Sequence, residues 1–232
     1  MKHLKRKVDI ADLRVKLDQM TEQIVSGLKN RSRSKLNEKV FAQKFFGNKS
    51  WFLYRLEAEQ NVDAEFGRYL YSDQHPLVFS AEQLSKPKIK RNVPELGLKR
   101  VRIDLSKDII GAYRKVLKKI CEKGEESENY GATVKLDVEN ILLFNERILG
   151  IGEQVAAYKL QKNPGLLGTK EKEKIRLALI APKREREVIE NSKKIAARYK
   201  IKNPEAVAEF MKKIIALTTK AEIVYILEAG KR

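Results

Sequence analysis

The stretch 137–160, DVENILLFNERILGIGEQVAAYKL, constrains the fold more than any other part of the chain. Its apolar residues recur at spacings of three and four, the pattern of one buried face of an amphipathic helix: Ile141, Phe144, Ile148, Ile151, Val155 and Tyr158. Two cations, Arg147 and Lys159, lie on or beside that face. A cation near a buried surface is costly unless it meets an anion or lines a wet pocket. The stretch therefore predicts a central helix that points positive charge inward, at something negative.

Helical periodicity also predicts helices over 8–28, 51–69, 109–121, 171–181, 184–199 and 205–227. Asp9 and Asn203 stand where helix caps are expected, and residues 31–35 and 122–131 are interpreted as a polar break and a charged loop. No stretch alternates with period two. These patterns predict an all-α fold, a single multi-helix bundle domain over 1–232 with an irregular basic connection at about 80–104.

Cysteine and histidine are too scarce for several kinds of site. Cys121 is the only cysteine, and the two histidines are His3 and His75, of which the second is interpreted as a loop residue. A disulfide framework within one chain is excluded. Cysteine and histidine are also almost too few for a zinc site or a Ser-His-Asp triad. The longest apolar run, 177–181, is far short of a membrane span, and no apolar signal core is visible. We therefore expect a cytoplasmic protein without a metal site.

The net charge of +18 leaves three interpretations open: a solvated surface, a nucleic-acid partner, or a polyanionic small substrate. The basic run 86–91 is the best candidate for a nucleic-acid patch. Stacking on bases requires aromatic side chains among the cations, and none occurs between Phe79 and Tyr113. The sequence therefore does not favour nucleic acid, although it leaves that alternative open.

Ionisable or hydroxyl side chains interrupt the core-facing surfaces of four predicted helices: Arg14, Lys159, Glu185, Thr218 and Glu222. Taken singly, each has an ordinary explanation, such as an arginine that flanks the core, a carboxylate at a helix N-terminus, or a threonine bonded to its own helix. Taken together, they predict a polar cavity inside the bundle. With no nucleophile and base in sight, such a cavity would bind a ligand or catalyse by charge and shape.

Several stretches, in order and spacing along nearly the whole chain, resemble the eukaryotic-type (fungal and plant) chorismate mutases: DLRVKL at 12–17, RY at 68–69 with SDQHP at 72–76, NYG at 129–131, VAAYK at 155–159, Glu185 with VIE at 188–190, IALTTKAE at 215–222 and YIL at 225–227. The resemblance implies the all-helical chorismate mutase fold and a homodimer. It implies the rearrangement of chorismate, a dianion, to prephenate in tyrosine and phenylalanine biosynthesis, without a cofactor.

The resemblance also implies roles for four ionisable residues. Arg14 and the arginine of the central helix would bind the two carboxylates of the substrate. Lys159 would donate to the ether oxygen and to a carboxylate, and Glu222 would be the second donor to that oxygen. Since an ionised carboxylate cannot donate a hydrogen bond, Glu222 must be protonated in this role.

Substrate-binding roles are implied for Thr218, which would help to hold a carboxylate, and for Glu185, which would accept from the ring hydroxyl. The family has an asparagine, which helps to fix that hydroxyl, where this chain has Ala181. Alanine cannot make this contact. We expect either a weaker hold on the substrate or compensation by Arg184.

The central arginine is out of register. In the family it lies eleven residues before the lysine, which brings both to one side of a regular helix. Here Ile148 occupies that position, and Arg147 lies one residue earlier, roughly 120° from Lys159 around a regular helix. Either Arg147 is not a ligand or the helix contains a one-residue bulge, which Gly150 and Gly152 would make less costly.

Regulated members of the family use an arginine pair and a Gly-Ser sequence to bind aromatic amino acids. This chain keeps one residue of each pair, Arg68 and Gly131, but has Gly67 and Ala132 at the other positions. We expect weak or absent control by tryptophan and tyrosine.

Two alternatives to a chorismate mutase stay open. The high charge and the altered positions are also compatible with a catalytically weakened relative that acts as a basic nucleic-acid-binding or interaction protein. The second alternative is an inert helical structural protein, and the inward charges make it the least favoured of the three interpretations.

Overall fold

The computed structural model describes residues 8–77, 83–90 and 100–230, and over these residues the all-α prediction is confirmed. The helices are α1 Ile10–Arg31, α2 Lys39–Ala42, α3 Trp51–Glu65, α4 Ser106–Ile120, α5 Tyr130–Asn145, α6 Ile151–Lys162, α7 Lys172–Leu179, α8 Pro182–Arg198 and α9 Pro204–Ala229. A π-helical turn, Glu146–Gly150, joins α5 to α6, and 3₁₀ turns lie at Ser127–Asn129 and Pro164–Leu166. Strands β1 Lys44–Phe46 and β2 Lys49–Ser50 pair antiparallel. The sequence did not predict this small ribbon, since strands so short carry no alternation.

Polar caps fix the starts of three helices. The Asp9 carboxylate accepts from Ala11 N at 2.7 Å, and the Asn203 side chain accepts from Ala206 N at 3.0 Å, so both predicted caps are confirmed. Ser50 does the same for α3 through Leu53 N. Because a side-chain oxygen satisfies an amide that the helix leaves unpaired, these residues set where each helix begins.

Helix α9 is the centre of the bundle, and it packs against α4, α6, α7, α8 and the π-helical turn. Helix α1 packs across α5, α6 and α8. Tyr113, Phe144 and Phe210 stack edge to face through the middle, with ring centroids 5.4 and 5.0 Å apart. The central stretch of the sequence, including the π-helical turn, thus lies between α1 and α9.

The interpretation of residues 31–35 as a polar break is wrong at its first residue. Helix α1 continues through Arg31, whose side chain is completely buried. Its Nε donates to Asp137 Oδ1 at 2.7 Å, and its Nη atoms donate to the carbonyls of Lys35 and Leu36. The local sequence RSRSK suggests solvent, but a carboxylate on α5 stabilises this charge in the interior.

The connection at about 80–104 lies partly outside the described residues, which omit 78–82 and 91–99. Residues 83–90 and 100–105 contain neither α-helix nor strand, as expected. Val101, Ile103 and Leu105 are nevertheless buried in the core, so this end of the connection is not a surface linker. Within the described part of the chain, no helix is long and apolar enough to cross a membrane.

Candidate functional site

The π-helical turn Glu146–Gly150 decides where Arg147 points. A π turn accommodates one extra residue in a helix, so of the two explanations for the register, the bulge is the one that the structure contains. Arg147 is buried, with 5% of its surface exposed, and its Nη1 donates to Thr218 Oγ1 on α9 at 3.4 Å. Ile148 is fully buried in the hydrophobic core.

Gly150 and Gly152 provide space rather than unusual backbone angles. Gly150 has ordinary helical angles, φ −63° and ψ −54°, so the idea that glycine flexibility favours the bulge is not needed. A Cβ on Gly152 would lie 3.2 Å from Thr218 Cγ2 and 3.9 Å from Glu222 Cγ. Because Gly152 lacks that atom, α6 approaches α9 closely at the two polar residues of α9.

Thr218 and Glu222 lie one turn apart on α9, and each is 6% exposed. The Thr218 hydroxyl donates to the Ile214 carbonyl at 2.9 Å while it accepts from Arg147, so it bonds to its own helix and also faces the site. Burial raises the pKa of Glu222 to about 8, although Arg147 and Lys159 oppose the shift. At neutral pH the carboxyl is therefore largely protonated and can donate a hydrogen bond.

Arg147 remains charged but has few partners. Burial lowers the pKa of its guanidinium to about 10, although Glu222 and Asp18 raise it. Its Nε finds no hydrogen-bond acceptor within the described part of the chain. A buried guanidinium with spare donors is suited to bind an anion, since such groups otherwise lose hydration without compensation.

Lys159 completes what we call the inner polar cluster, which is defined as Arg147, Lys159, Thr218 and Glu222. It lies on α6, half-buried, with Nζ 3.4 Å from the Ala178 carbonyl. Its charge lowers the pKa of Glu222 against the effect of burial. Residues from α6, α9 and the π-helical turn thus place two cations and a neutral carboxyl together.

Glu185 lies at the border of the cluster. Its Oε1 accepts from Ala181 N at 3.0 Å, so it serves the N-terminus of α8, as its ordinary explanation anticipates. Its charge also raises the pKa of Glu222. One side chain therefore supports the helix start and contributes to the electrostatics of the cluster.

Arg14 and Arg184 lie outside the cluster. Arg14 is exposed on α1, and no hydrogen bond or ion pair joins it to another described residue. Arg184 pairs with Asp18 of α1 and lies 3.5 Å from Glu187. Sequence reasoning missed Asp18, which also raises the pKa of Arg147. Its position four residues after Arg14, on the same side of α1, was the available signal.

A groove of about 1190 Å³ lies between α7, α8 and α9. Glu185 lines it, but no member of the inner polar cluster does. Its floor is largely apolar, with Ile180, Ile189, Ile215 and Leu227, and several lysines and arginines surround it. The groove therefore has the larger open volume, whereas the cluster has the converging charges.

Comparisons with known proteins identify the fold. No protein-family model matches the chain. A chorismate mutase from Schizosaccharomyces pombe is 25% identical over 172 residues, which cover 71% of this chain and 67% of the relative. The chloroplast chorismate mutase from Zea mays superimposes with a TM-score of 0.83 at 24% identity, covering 95% of this chain and 94% of that one. The chain has the fold of the eukaryotic chorismate mutases.

Two further structures with this fold contain bound amino acids. The Aro7p chorismate mutase from Candida albicans, in complex with L-Trp, gives a TM-score of 0.84 at 24% identity and covers 96% of this chain and 92% of that one. AtCM1 with tyrosine in its allosteric site gives 0.82 at 23% identity, with 96% of both chains covered. The resemblance predicted from the sequence is thus confirmed over nearly the full length.

Within this chorismate mutase fold, the altered position Ala181 and Arg184, the residue expected to compensate for it, can be located. Ala181 immediately precedes α8, where its amide bonds to Glu185, and its methyl group cannot hold a hydroxyl. Arg184 faces Asp18. Arg184 can therefore compensate for the missing asparagine only if this ion pair opens or if the substrate binds at the edge of the pair.

The two residues kept from the regulatory pattern lie on different elements. Arg68 follows α3 and reaches Asp63 at 3.6 Å and Glu146 at 3.2 Å. Gly131 is in the first turn of α5, with open space around its Cβ position. Arg68 therefore contacts Glu146, the residue just before Arg147.

His75 lies in a loop, as predicted, but it is not a surface residue. Its side chain is 8% exposed, and its Nε2 lies 3.1 Å from Oε1 of the fully buried Glu153. No group of three or more metal-ligating side chains occurs among the described residues.

Proposed function

We propose that this chain is a chorismate mutase, which converts chorismate to prephenate. The observation that carries the proposal is the inner polar cluster: a guanidinium with spare donors, an ammonium and a protonated carboxyl meet around Thr218 in a fold shared with chorismate mutases. The +18 net charge suits a dianionic substrate.

The reaction needs shape and charge rather than a nucleophile or a metal. Within one molecule, the ether C–O bond breaks as a new C–C bond forms, and negative charge develops on the ether oxygen in the transition state. Lys159 and protonated Glu222 are the proposed donors to that oxygen. Donors that are already oriented in a dry site stabilise such charge strongly, because they need not reorganise during the reaction.

Arg147 and Arg14 are the proposed ligands of the two substrate carboxylates. Among the described residues, Arg147 Nε has no acceptor and Nη1 makes only a long bond to Thr218, so a carboxylate can bind in bidentate fashion with Thr218 beside it. Arg14 is exposed on the helix that carries Asp18, whose charge reaches Arg147. We propose that Arg14 binds the outer carboxylate.

Glu185 is the proposed acceptor of the ring hydroxyl, with Arg184 at the edge of the same region. Glu185 lies close enough to Glu222 to raise the pKa of that carboxyl. Because Ala181 replaces the asparagine that the resemblance anticipates, we expect a weaker hold on the hydroxyl, which would appear as a raised KM.

The finer features of the proposal follow the same resemblance. We propose a single domain that forms a homodimer and acts in the cytoplasm, in aromatic amino acid biosynthesis. Light scattering on the purified protein tests the dimer, and cell fractionation tests the location. The Zea mays relative is a chloroplast enzyme, so a plastid location is the contrary outcome.

Weak or absent regulation is proposed because Gly67 and Ala132 stand where regulated family members have polar partners for an aromatic amino acid. The solved relatives include one in complex with L-Trp and one with tyrosine in an allosteric site. Adding tryptophan or tyrosine to the assay tests this proposal, and a clear change in the rate with either would contradict it.

The decisive experiment is the loss of chorismate absorbance with the purified protein, beside the variants Lys159→Ala and Glu222→Ala. We expect turnover by the unaltered chain and a loss of about 10²–10³-fold in each variant. Lys162→Ala is the matched control: it removes an exposed cation in the last turn of α6, and activity should persist.

The absence of turnover by the unaltered protein would rule out the enzyme. If the protein shifts the electrophoretic mobility of RNA in a salt-dependent way, and both site variants still do so, the basic binding protein is favoured instead.

A further inference from the structure

The residues just after α3 contact the N-terminal end of the π-helical turn. Asn145, the last residue of α5, donates from Nδ2 to the His75 carbonyl at 2.7 Å. Asn145 is only 4% exposed, so this bond is made in a buried setting. Arg68 adds a more exposed contact, with Nη2 3.2 Å from Glu146 Oε2.

The same segment contacts the C-terminal end of the turn. A Cβ on Gly150 would lie 2.9 Å from the Asp73 backbone oxygen, so the loop occupies the space that a side chain would need. The Asp73 carboxylate accepts from Gln154 Nε2 at 2.6 Å. His75 meets Glu153 of α6 at 3.1 Å, and both side chains are buried.

The loop that makes these contacts is itself fixed to α3. Leu77 N donates to Gln60 Oε1 at 2.6 Å, and Gln60 is completely buried. Leu77 is buried in the core cluster. Residues 72–76, which we call the clamp loop, are therefore anchored independently of the turn they touch.

A π-helical turn requires such support. It is rare and occurs mostly as a single-turn bulge inside an α-helix, so its position along the helix depends on the contacts around it. If the extra residue moved along the helix past Arg147, the side chain would rotate by about 100°. The guanidinium would then leave Thr218 and Glu222.

We propose that the clamp loop holds the π-helical turn in the register that points Arg147 into the inner polar cluster, with Asn145, Asp73 and Gly150 as positioning residues. This inference rests on the proposed function, because the consequence for turnover follows only if Arg147 binds substrate. None of the three residues belongs to the cluster, and they act through the direction of Arg147.

The first test compares Asn145→Ala with Asn140→Ala. Both asparagines lie on α5, both are 4% exposed, and both donate to a backbone carbonyl: Asn145 to His75, and Asn140 to Gly27 at 3.4 Å. Each loss should lower the melting temperature. Only Asn145→Ala should also lower kcat/KM, by about 10–10²-fold, since small displacements of a binding group have large kinetic effects.

Hydrogen exchange supplies a readout that does not depend on turnover. In Asn145→Ala, the amides of 146–152 should exchange faster than in the unaltered protein, while in Asn140→Ala they should stay protected. Equal exchange of 146–152 in the two variants would overturn the clamp, whatever their activities.

The second test compares Gly150→Ala with Gly111→Ala. Both are helical glycines, but a Cβ on Gly111 meets nothing within 4 Å, whereas one on Gly150 meets the Asp73 backbone. Gly150→Ala should reproduce the loss of kcat/KM and the faster exchange, and Gly111→Ala should leave both unchanged. Normal activity and protection in folded Gly150→Ala would contradict the proposal.

The two proposals can fail separately. An unaltered protein without turnover removes the proposed function, and the exchange measurements still decide whether the clamp loop holds the turn. An active protein in which Asn145→Ala and Asn140→Ala behave alike keeps the function and removes the clamp.

Discussion

Two arginines are buried within the described part of the bundle, and they have opposite roles. Arg31 is completely buried, and all three of its nitrogens have partners: Asp137 Oδ1 at 2.7 Å, the carbonyls of Lys35 and Leu36, and Cys121 Sγ at 3.6 Å. Arg147 is 5% exposed, makes one bond of 3.4 Å to Thr218, and leaves Nε without an acceptor among the described residues.

Their pKa values move in opposite directions. For Arg31, burial opposes the charged form, but Asp137, Cys121 and Tyr113 outweigh it, and the pKa is raised. For Arg147, burial dominates over Glu222 and Asp18, and the pKa falls to about 10. Arg31 is therefore a structural charge, while Arg147 keeps binding capacity for a ligand.

Replacing Arg147 by methionine should have the largest effect. Arg147→Met keeps most of the volume but removes the donors that are proposed to bind a substrate carboxylate, so kcat/KM for chorismate should fall by about 10²–10³-fold. Steady-state kinetics measures the loss. The melting temperature should not fall, because Glu222 is neutral at pH 7 and no buried charge is left without a partner. A large drop in melting temperature would make Arg147 a second structural arginine.

The same substitution at Arg31 should act on stability instead. Arg31→Met leaves Asp137 buried without its cation, which should cost about 3–5 kcal/mol of unfolding free energy. For a chain of this size, that lowers the melting temperature by about 6–20 °C. Calorimetry measures the shift, and kinetics on the folded protein at low temperature should give a turnover close to normal.

A double variant sharpens this prediction. Arg31→Met with Asp137→Leu removes both charges, so it should recover part of the lost stability. If the double variant is less stable than Arg31→Met alone, the loss came from packing and not from the unpaired carboxylate.

In the proposed mechanism, Glu222 makes the reaction rate depend on pH. With a pKa raised to about 8 by burial, the carboxyl donates a hydrogen bond below that pH and loses the proton above it. The rate should therefore fall about tenfold per pH unit above pH 8. A profile of kcat/KM from pH 5 to 10 measures this, and Glu222→Gln, which keeps a donor, should flatten the alkaline limb. A flat profile in the unaltered enzyme would contradict the role.

The same shift makes a prediction for stability. The folded pKa of Glu222 lies above the unfolded value, so its contribution is fully present below about pH 4.5 and is lost as the pH rises to about 8. Glu222→Gln does not titrate and should lack this part of the decline, which denaturant titrations at pH 5 and pH 9 compare.

The contrast between the two arginines also shows what a sequence can reveal. Periodicity and caps predicted the helices around both residues, and the core pattern of 137–160 flagged Arg147. Arg31 was missed because its carboxylate lies 106 residues away, and nothing in RSRSK signals burial. The sequence indicates a bulge, as one of two explanations, only because the resemblance implies a spacing of eleven residues between the central arginine and the lysine.

The clamp loop could not be predicted from the sequence in the same way. The stretch 72–76 has turn chemistry, which indicates a loop but not what the loop touches. The burial of Val101, Ile103 and Leu105 was missed for a related reason, since a single extended segment in the core has no period to detect. Long-range contacts of irregular backbone are set by the whole fold.

The smallest predicted effect concerns the edge of the site, at Asp18. Its carboxylate pairs with Arg184 on the surface, where ion pairs are weak. If Arg184 helps to hold the substrate, Asp18 competes with it, and Asp18→Asn should lower KM by about two- to fivefold with little change in kcat. Glu187→Gln is the control, because Glu187 also contacts Arg184, at 3.5 Å, but lies on the same helix, α8. A rise in KM for Asp18→Asn would instead mean that Asp18 orients Arg184, and that the site depends on an anion of its own.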